Sequence, residues 1–271
     1  MPALAVGVLA AGLLSAGTVF AQAAPGQPAP PASQPLNLSS SCPEMAQALT
    51  ALMRNDARLR DWAALGRYRQ ANAALARPSA SEARVVFMGD SITDAWPQPR
   101  FGRFFEGRPY VGRGISGQTT PQMLVRFRPD VIALAPKAVV ILAGTNDIAG
   151  NTGPMTDEEV QGNIASMSEL AKAHGIKVVL ASILPTSAYH AAPGAAPQTT
   201  LRPMARIRAI NAWMERYARE NGHVYLDYFS AMVDASGVLR AELSEDDLHP
   251  NAKGYDVMAP LAEAAIAKAV K

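Results

Sequence analysis

The stretch Val85-Val86-Phe87-Met88-Gly89-Asp90-Ser91 decides the fold. Its first four residues are apolar and rich in β-branched and aromatic side chains, which predicts a short, buried β-strand. The Gly-Asp-Ser that follows places a hydroxyl group where the strand ends. In parallel α/β sheets, strand ends and helix N-termini meet at this edge, with backbone N–H groups free to bind a ligand. Ser91 is therefore a candidate catalytic residue.

Downstream of Ser91, apolar runs alternate with helical patterns. One helix is predicted to begin after Thr156, because Glu159 completes a capping box, and to end near Gly175. Two further helices follow, one ending at Asn221-Gly222 and one near the C-terminus. Short buried strands joined by helices predict a parallel sheet covered on both faces, an α/β fold with three α/β/α layers. The five predicted strands are Val85–Met88, Tyr110–Val111, Ala138–Ala143, Val178–Leu184 and Val224–Tyr228.

Composition sets the broad class of protein. The chain has 271 residues, of which 49% are hydrophobic and 18% charged, so it can bury the core of one domain of roughly 200–230 residues. Its formal net charge is only +2, and Arg alternates with Asp and Glu in the N-terminal third. Without a basic stripe interleaved with aromatic residues, nucleic acid is not expected as a partner.

The N-terminus predicts export. Residues 3–21 are almost wholly Ala, Val, Leu and Gly, and Ala21-Gln22-Ala23 matches a signal-peptidase pattern. We expect a signal peptide over residues 1–23, cleaved after Ala23, a periplasmic or secreted protein, and no membrane span in the mature chain. Because no Lys or Arg precedes the apolar run, a retained anchor stays open as an alternative.

Three segments are predicted after the signal peptide. Residues 24–41 are rich in Pro and Ala, a composition that predicts an extended linker. Residues 42–80 carry two helical patterns, with Met45, Leu49, Leu52 and Met53 on one face and Trp62, Leu65, Tyr68 and Leu75 on another. Residues 81–271 form the predicted catalytic domain. Cys42 is the only cysteine, so no intramolecular disulfide is possible.

Three further segments carry polar residues where the predicted layout places strand ends or the last helix. Gly114-Ile115-Ser116-Gly117 follows the second strand, Gly144-Thr145-Asn146-Asp147 follows the third, and Asp246-Asp247-Leu248-His249 precedes the last helix. Each segment taken singly could be a turn or a helix cap. Together with Ser91, in this order, they predict an active site.

These four blocks resemble the SGNH (GDSL-type) hydrolases, whose blocks carry Ser, Gly, Asn and His in the same order. The corresponding residues here are Ser91, Gly117, Asn146 and His249, and the resemblance extends from about residue 84 to the C-terminus. It implies a flavodoxin-like α/β/α sandwich with a five-stranded parallel sheet. It also implies hydrolysis of carboxylic esters without a metal or other cofactor.

The residues also support this chemistry directly. Ser91 needs a base to take its proton, and His249 is the candidate, with Asp246 three residues earlier to orient the imidazole. The alternative is that Asp246 only forms a turn while a backbone carbonyl orients His249. The predicted oxyanion hole consists of the N–H groups of Ser91 and Gly117 and the amide of Asn146. A side chain on residue 117 is expected to crowd the substrate. Scaffold roles are expected for Asp90, Asp94 and Asp147.

The substrate is less tightly specified by the sequence. Trp96, Tyr189 and His190 are candidates for substrate contact, the last two on a long irregular connection after the fourth strand. No long apolar stretch is present there to cover a fatty chain, which favours a short acyl group, such as acetyl on a carbohydrate. A lysophospholipase or thioesterase acting on longer chains remains open.

Other classes of protein are less compatible with the sequence. An α/β-hydrolase would carry Gly-x-Ser-x-Gly, which is absent, and a metal hydrolase would need clustered His and carboxylate ligands. A flavin- or nucleotide-binding module leaves Asp246 and His249 unexplained. A non-catalytic periplasmic binding protein descended from an enzyme also remains open, although it should have lost a catalytic residue.

Overall fold

The computed structural model describes residues 46–47, 49–50, 53, 59–102 and 104–271. The chain divides into two units, Met1–Ala51 and Leu52–Lys271. In the first unit the four described residues, 46–47 and 49–50, are helical. The predicted signal peptide, the linker, Cys42 and much of the first helical pattern lie outside the described residues. Among the residues described, no helix is both long enough and apolar enough to cross a membrane.

The second unit contains the predicted five-stranded parallel sheet, with strand order β2-β1-β3-β4-β5. Every neighbouring pair of strands is parallel. β1, β3 and most of β4 are buried, as expected for strands with helices on both faces. The strands are β1 Val85–Gly89, β2 Tyr110–Gly114, β3 Ala138–Leu142, β4 Lys177–Ala181 and β5 Val224–Leu226.

Helices cover both faces of the sheet and confirm the three-layer architecture. One core lies under α3, α5 and α7, and a second lies under α2 and α9. In the described chain the helices are α1 Arg69–Ala74, α2 Ser91–Ala95, α3 Thr120–Asp130, α4 Thr145–Ile148, α5 Asp157–Ala173, α6 Gln198–Leu201, α7 Met204–Asn221, α8 Phe229–Met232 and α9 Ala252–Ala269. Short 3₁₀ turns occupy Pro99–Phe101, Ile132–Leu134 and Ala241–Leu243.

The end signals read from the sequence are confirmed for the long helices. Thr156 caps α5, its hydroxyl accepts the Glu159 N–H at 3.2 Å, and the Glu159 carboxylate accepts the Thr156 N–H at 2.8 Å. Helix α7 ends at Asn221, followed by Gly222 in the left-handed conformation. These local contacts satisfy backbone groups that a helix end would otherwise leave unpaired.

Several predicted boundaries were wrong. β2 extends to Gly114 rather than Val111, and β5 ends at Leu226 rather than Tyr228. β4 ends at Ala181 rather than Leu184, because the Ser182 hydroxyl accepts the N–H groups of Tyr228 and Phe229 and turns the chain away. The predicted helix over Trp62–Leu75 is helical only from Arg69 to Ala74. Residues 61–68 form turns instead, because the Asp61 carboxylate accepts the N–H groups of Leu65 and Gly66 at 2.7 and 2.9 Å.

Candidate active site

The register of the strands brings the Ser91, Gly117 and Asn146 blocks to one edge of the sheet. Gly89, the last residue of β1, pairs with Gly114 of β2 and with Leu142 of β3, so these three strands end level with one another. Ser91 follows the first strand end, Gly117 the second and Asn146 the third. The parallel topology therefore gathers residues that lie far apart in sequence.

Ser91 is the first residue of α2 and lies directly after the strand end. Asp90 caps the helix, and its Oδ1 accepts the Ile92 N–H at 3.0 Å. This cap fixes the turn between strand and helix and leaves the Ser91 side chain part-buried at the cleft. The Ser91 Oγ lies 2.9 Å from Nε2 of His249, which is hydrogen-bonding distance.

Asp246 holds the imidazole from the other side. Its Oδ2 lies 2.6 Å from Nδ1 of His249, while its Oδ1 accepts the His249 backbone N–H at 2.7 Å. Partial burial acts to raise the pKa of Asp246, but the hydrogen bonds from the ring and backbone of His249 outweigh it and hold this pKa below the ordinary value. The carboxylate itself, rather than a backbone carbonyl, therefore orients the ring.

The last helix fixes His249 against Ser91. Helix α9 begins three residues after His249, and the Tyr255 hydroxyl within it donates to the Ile92 carbonyl of α2 at 2.8 Å. The Tyr255 ring also stacks on Trp96, with ring centroids 4.9 Å apart. These two contacts tie the C-terminal helix to the helix that carries Ser91, across 163 residues of chain.

Gly117 and Asn146 follow the ends of β2 and β3, at the same edge of the sheet as Ser91. Gly117 has φ +78°, a conformation that residues with a side chain rarely adopt, while a Cβ there would meet only the Asn151 amide at 3.8 Å. Backbone conformation alone therefore favours glycine at this position, and the expectation that a side chain would crowd the substrate stays a prediction. Within the described chain, the N–H groups of Ser91 and Gly117 have no protein acceptor.

The Asn146 amide is held by two neighbours. Its Nδ2 donates to the Gln118 carbonyl at 3.0 Å, and its Oδ1 accepts from Nη2 of Arg202 at 3.3 Å. The Arg202 Nε also donates to the carbonyl and hydroxyl oxygens of Thr145, at 3.1 and 3.0 Å. One Nδ2 hydrogen of Asn146 remains for a ligand. The sequence reasoning missed Arg202, because it lies between two helices with no motif around it.

A second buried arginine, Arg126, joins the first two blocks. Its guanidinium donates to the carbonyls of Gly89 and Arg113, both at 2.8 Å, and to the Gln118 side chain at 2.5 Å. It also pairs with Asp130 one turn along α3, at 3.1 Å. Arg126 is fully buried, so these contacts set the position of the loops that follow β1 and β2. The sequence reasoning missed it as well.

The scaffold aspartates connect the same loops. Asp94 accepts the hydroxyl of Ser116 at 2.8 Å, and Asp147 accepts the hydroxyl of Thr120 at 2.5 Å. Asp90 is 1% exposed, and this burial raises its pKa to about 6 despite the hydrogen bond from the Ile92 N–H. Burial also raises the pKa of Asp147.

A cleft of about 650 Å³ opens over Ser91 and His249. Polar and charged groups occupy much of its wall, including Gln98, Arg100 and Glu245, together with Phe101. Trp96 is not part of this wall, which corrects the prediction of substrate contact. It is 3% exposed and packs among aromatic rings of the core, because α2 turns this side of the helix toward Phe87 and Tyr255.

Tyr189 and His190 have partners within the protein and do not line the cleft over Ser91. The Tyr189 hydroxyl donates to Asp234 at 2.6 Å, and the His190 ring lies 3.1 Å from Asp247. Asp247, at φ +67°, also accepts the Ser187 hydroxyl at 2.5 Å. The bonds to Asp247 hold the long connection against the Asp246–His249 segment, and substrate contact by Tyr189 and His190 stays a prediction.

The fold and this arrangement are those of a three-layer α/β/α hydrolase with serine, histidine and aspartate in hydrogen-bonded contact. Among the residues described, no cluster of three His, Cys, Asp or Glu side chains could hold a metal ion. Residues 87–257 match the model of the GDSL-like Lipase/Acylhydrolase family, and the chain belongs to that family. This membership is consistent with an ester-hydrolysing enzyme.

Two solved structures resemble the chain over nearly their full length. A candidate acylhydrolase from Bacteroides fragilis is 47% identical, with a TM-score of 0.69, and the match covers 78% of this chain and 99% of that one. A GDSL-like lipase from Bacteroides thetaiotaomicron is 45% identical, with a TM-score of 0.69, and the match covers 76% and 98%. Both confirm the five-stranded fold and the family.

A curated relative matches over a shorter stretch. The uncharacterized lipoprotein YqeF of Bacillus subtilis is 36% identical over 78 residues, which is 28% of this chain. The match spans about a third of the length of that relative, 32%.

Proposed function

We propose that the protein is a serine esterase that hydrolyses carboxylic esters with Ser91 as nucleophile, His249 as base and Asp246 as the orienting carboxylate. Two successive hydrogen bonds support the proposal. Ser91 Oγ lies 2.9 Å from His249 Nε2, and His249 Nδ1 lies 2.6 Å from Asp246 Oδ2. A serine hydroxyl is a weak nucleophile at neutral pH, and this geometry supplies the base that activates it.

The reaction proceeds in two halves. Ser91 Oγ attacks the ester carbonyl carbon while its proton passes to His249 Nε2, and collapse of the tetrahedral intermediate transfers that proton to the departing alcohol. Water then attacks the carbonyl carbon of the acyl-serine while His249 takes a proton from the water. His249 returns that proton to Ser91 Oγ as the bond between the acyl carbon and Oγ breaks, and the carboxylic acid is released. The Asp246 carboxylate fixes the tautomer that keeps Nε2 free to accept a proton and stabilises the imidazolium that forms.

The oxyanion of each intermediate is bound by the backbone N–H groups of Ser91 and Gly117 and by the Nδ2 of Asn146. Two observations support this assignment: both N–H groups lack a protein acceptor within the described chain, and the Asn146 amide is held by Gln118 and Arg202. Donors fixed before the reaction stabilise developing charge without reorganising.

The preferred substrate carries a short acyl group, such as acetyl on a carbohydrate. Most described residues that line the cleft over Ser91 have polar side chains, such as Gln98, Glu245 and Asn251. Its apolar side chains are those of Ala95, Phe101, Pro250 and Ala252, and no long aliphatic side chain is among them. The alternative is a lysophospholipase or thioesterase acting on longer acyl chains, which the GDSL-like lipase from Bacteroides thetaiotaomicron favours. A non-catalytic binding protein is disfavoured, since Ser91, Asp246 and His249 are all present and in contact.

The protein is exported, with residues 1–23 as a signal peptide, 24–41 as a linker, 42–80 as an N-terminal extension and 81–271 as the catalytic domain. The apolar N-terminal sequence and the likeness to a bacterial lipoprotein support export to the periplasm or the medium.

Hydrolysis of p-nitrophenyl esters, from acetate to palmitate, tests the proposal with wild type and Ser91→Ala side by side. Ser230→Ala, a change of an exposed serine on α8, is the matched control and should leave the rates unchanged. The proposal predicts a maximum at acetate or butyrate that is lost in Ser91→Ala. A maximum at long chains would favour the lipid alternative, and activity that survives in Ser91→Ala would exclude Ser91 as nucleophile.

A further inference from the structure

A second cleft, of about 550 Å³, lies on the other side of the loop that carries Gly117. It shares Ser116 with the cleft over Ser91, so the two meet at that residue. Six of the ten described residues that line it have polar side chains, and the remainder include Trp62, which also lines a neighbouring cleft of about 520 Å³. The six are Asp61, Ser116, Gln118, Gln122, Asn151 and Thr152.

Trp62 is unusual for a large aromatic side chain in that it stays 44% exposed on a firmly held backbone. The Gln122 side chain donates to the Trp62 carbonyl at 2.7 Å, and the Gln118 side chain donates to the Ala63 carbonyl at 2.8 Å. Ala63 is buried, which anchors the segment further. The backbone at Trp62 is therefore held by Gln118, next to Gly117, and by Gln122 of α3, and little backbone entropy is left to lose when a ligand binds.

The chemistry of the cleft identifies its ligand class. Among the described residues that line the cleft, Asp61 is the only charged one, and its two oxygens already accept the N–H groups of Leu65 and Gly66. A phosphate-bearing headgroup would require a cation, and the described part of this lining contains none. A long acyl chain would require a mostly apolar wall, which it also lacks. A neutral sugar matches both the aromatic and the polar part of the cleft. Its C–H face can pack on the Trp62 indole, and its hydroxyl groups can bond to the amide and hydroxyl side chains.

We propose that Trp62 and the polar groups around it form a subsite for the carbohydrate part of the substrate, and that the segment before the catalytic domain thereby determines specificity. The inference rests on the proposed esterase function, in which the acyl group reacts at Ser91. The alcohol portion then extends past Ser116 to the indole of Trp62. A one-sugar substrate would gain less from this contact than an oligosaccharide that spans both clefts.

Binding without turnover tests the subsite independently of catalysis. Partially acetylated cellohexaose is titrated by calorimetry into Ser91→Ala and into Ser91→Ala/Trp62→Ala. We expect the second variant to bind at least about tenfold more weakly, the size of effect typical of truncating an aromatic residue that is covered on binding. Leu65→Ala in the same background is the matched control, because Leu65 is 41% exposed on the same segment but lines a different pocket. Equal binding by Ser91→Ala and the double variant, or no binding by either, would overturn the proposal.

A kinetic measurement distinguishes failure of the Trp62 subsite from failure of the esterase mechanism at Ser91. In the otherwise wild-type enzyme, Trp62→Ala should lower the ratio of kcat/KM for acetylated cellohexaose to kcat/KM for p-nitrophenyl acetate by about tenfold, mostly through KM. An unchanged ratio would overturn the subsite while leaving the esterase mechanism intact. Loss of the esterase mechanism would be seen instead as activity of Ser91→Ala on p-nitrophenyl acetate, whatever the outcome at Trp62.

Discussion

Arg202 Nη2 lies 3.3 Å from Oδ1 of Asn146, and this contact determines the orientation of the Asn146 amide. An arginine can only donate, so the atom it binds must be the amide oxygen. The nitrogen is then the atom that donates to the Gln118 carbonyl. Arg202 is 6% exposed and is itself held by Thr145 and by the Gln198 side chain, so its position is well determined.

Removing either member of this pair should slow the chemical step. Asn146→Ala should lower kcat by roughly 10²–10³, the usual loss for one oxyanion donor, without unfolding the protein. Arg202→Met should lower kcat by a smaller factor, because it loosens the donor without deleting it. In the Asn146→Ala background the Arg202→Met change should cost almost nothing further. Independent, multiplicative effects on kcat in the double variant would show that Arg202 does not act through Asn146.

Asp246→Asn should retain the fold and lose most of the activity. The amide can place an N–H toward Nδ1 of His249, which forces the proton onto Nε2 and removes the acceptor that Ser91 needs. We expect kcat to fall by roughly 10²–10⁴. Asp256→Asn, at an exposed carboxylate on α9, is the matched control and should leave kcat unchanged. A fall of less than about threefold in Asp246→Asn would contradict the assigned role of this carboxylate.

The burial of Asp90 predicts that the stability of the folded protein depends on pH. Its pKa is raised to about 6 from an ordinary value of 3.8, so the folded protein holds this proton more tightly than the unfolded chain. The stabilisation that this proton provides is present below about pH 4 and is lost as the pH rises through about 6. Asp90→Asn keeps an acceptor for the Ile92 N–H and carries no charge.

The free energy of unfolding should therefore differ between Asp90→Asn and wild type in a pH-dependent way. At pH 8 the variant should be more stable by up to about 3 kcal/mol, since two pKa units correspond to about that much. The advantage should shrink as the pH is lowered and disappear near about pH 4. Urea unfolding at several pH values measures the difference. An advantage that grows toward acid pH would have the wrong sign and would contradict the assignment.

Replacing Arg126 should lower the free energy of unfolding, because its guanidinium holds the loops that follow β1 and β2. Arg126→Met removes a buried cation that joins the ends of β1 and β2 and leaves Asp130 without its ion pair. We expect a loss of about 3–5 kcal/mol in the free energy of unfolding, as for other buried pairs broken on one side. Val125→Ala, at a half-exposed neighbour on the same helix, should change it by less than about 1 kcal/mol. Equal losses in the two variants would contradict the structural role of Arg126.

The sequence predicted the sheet, the long helices and the residues around Ser91 because each is encoded locally. Apolar runs define strands, a capping box defines the start of α5, and strand ends of a parallel sheet share an edge. The positions of Arg126 and Arg202 could not be predicted in this way. The partners that tie them to the strand ends lie 13 to 57 residues away in sequence, and only the packing of helices against the sheet brings them together.

Aromatic residues were the other source of error, and for a related reason. Trp96 follows Ser91 closely in sequence, yet the turn of α2 directs it into the core, whereas Trp62 lies far from Ser91 in sequence and lines the neighbouring cleft. The interpretation of Trp62 as part of a helix face failed because Asp61 captures two backbone N–H groups and forms a turn. Side-chain competition for backbone donors of this kind is difficult to recognise from periodicity alone.

Covalent labelling tests the role of Ser91 most directly. A fluorophosphonate reacts with an activated serine when Oγ attacks phosphorus and fluoride leaves, and the adduct can be located by peptide mass spectrometry. We predict one adduct per chain, on the peptide that contains Ser91, with labelling abolished in Ser91→Ala and strongly slowed in His249→Ala. An adduct on another residue, or undiminished labelling of Ser91→Ala, would contradict the proposal that Ser91 is the catalytic nucleophile.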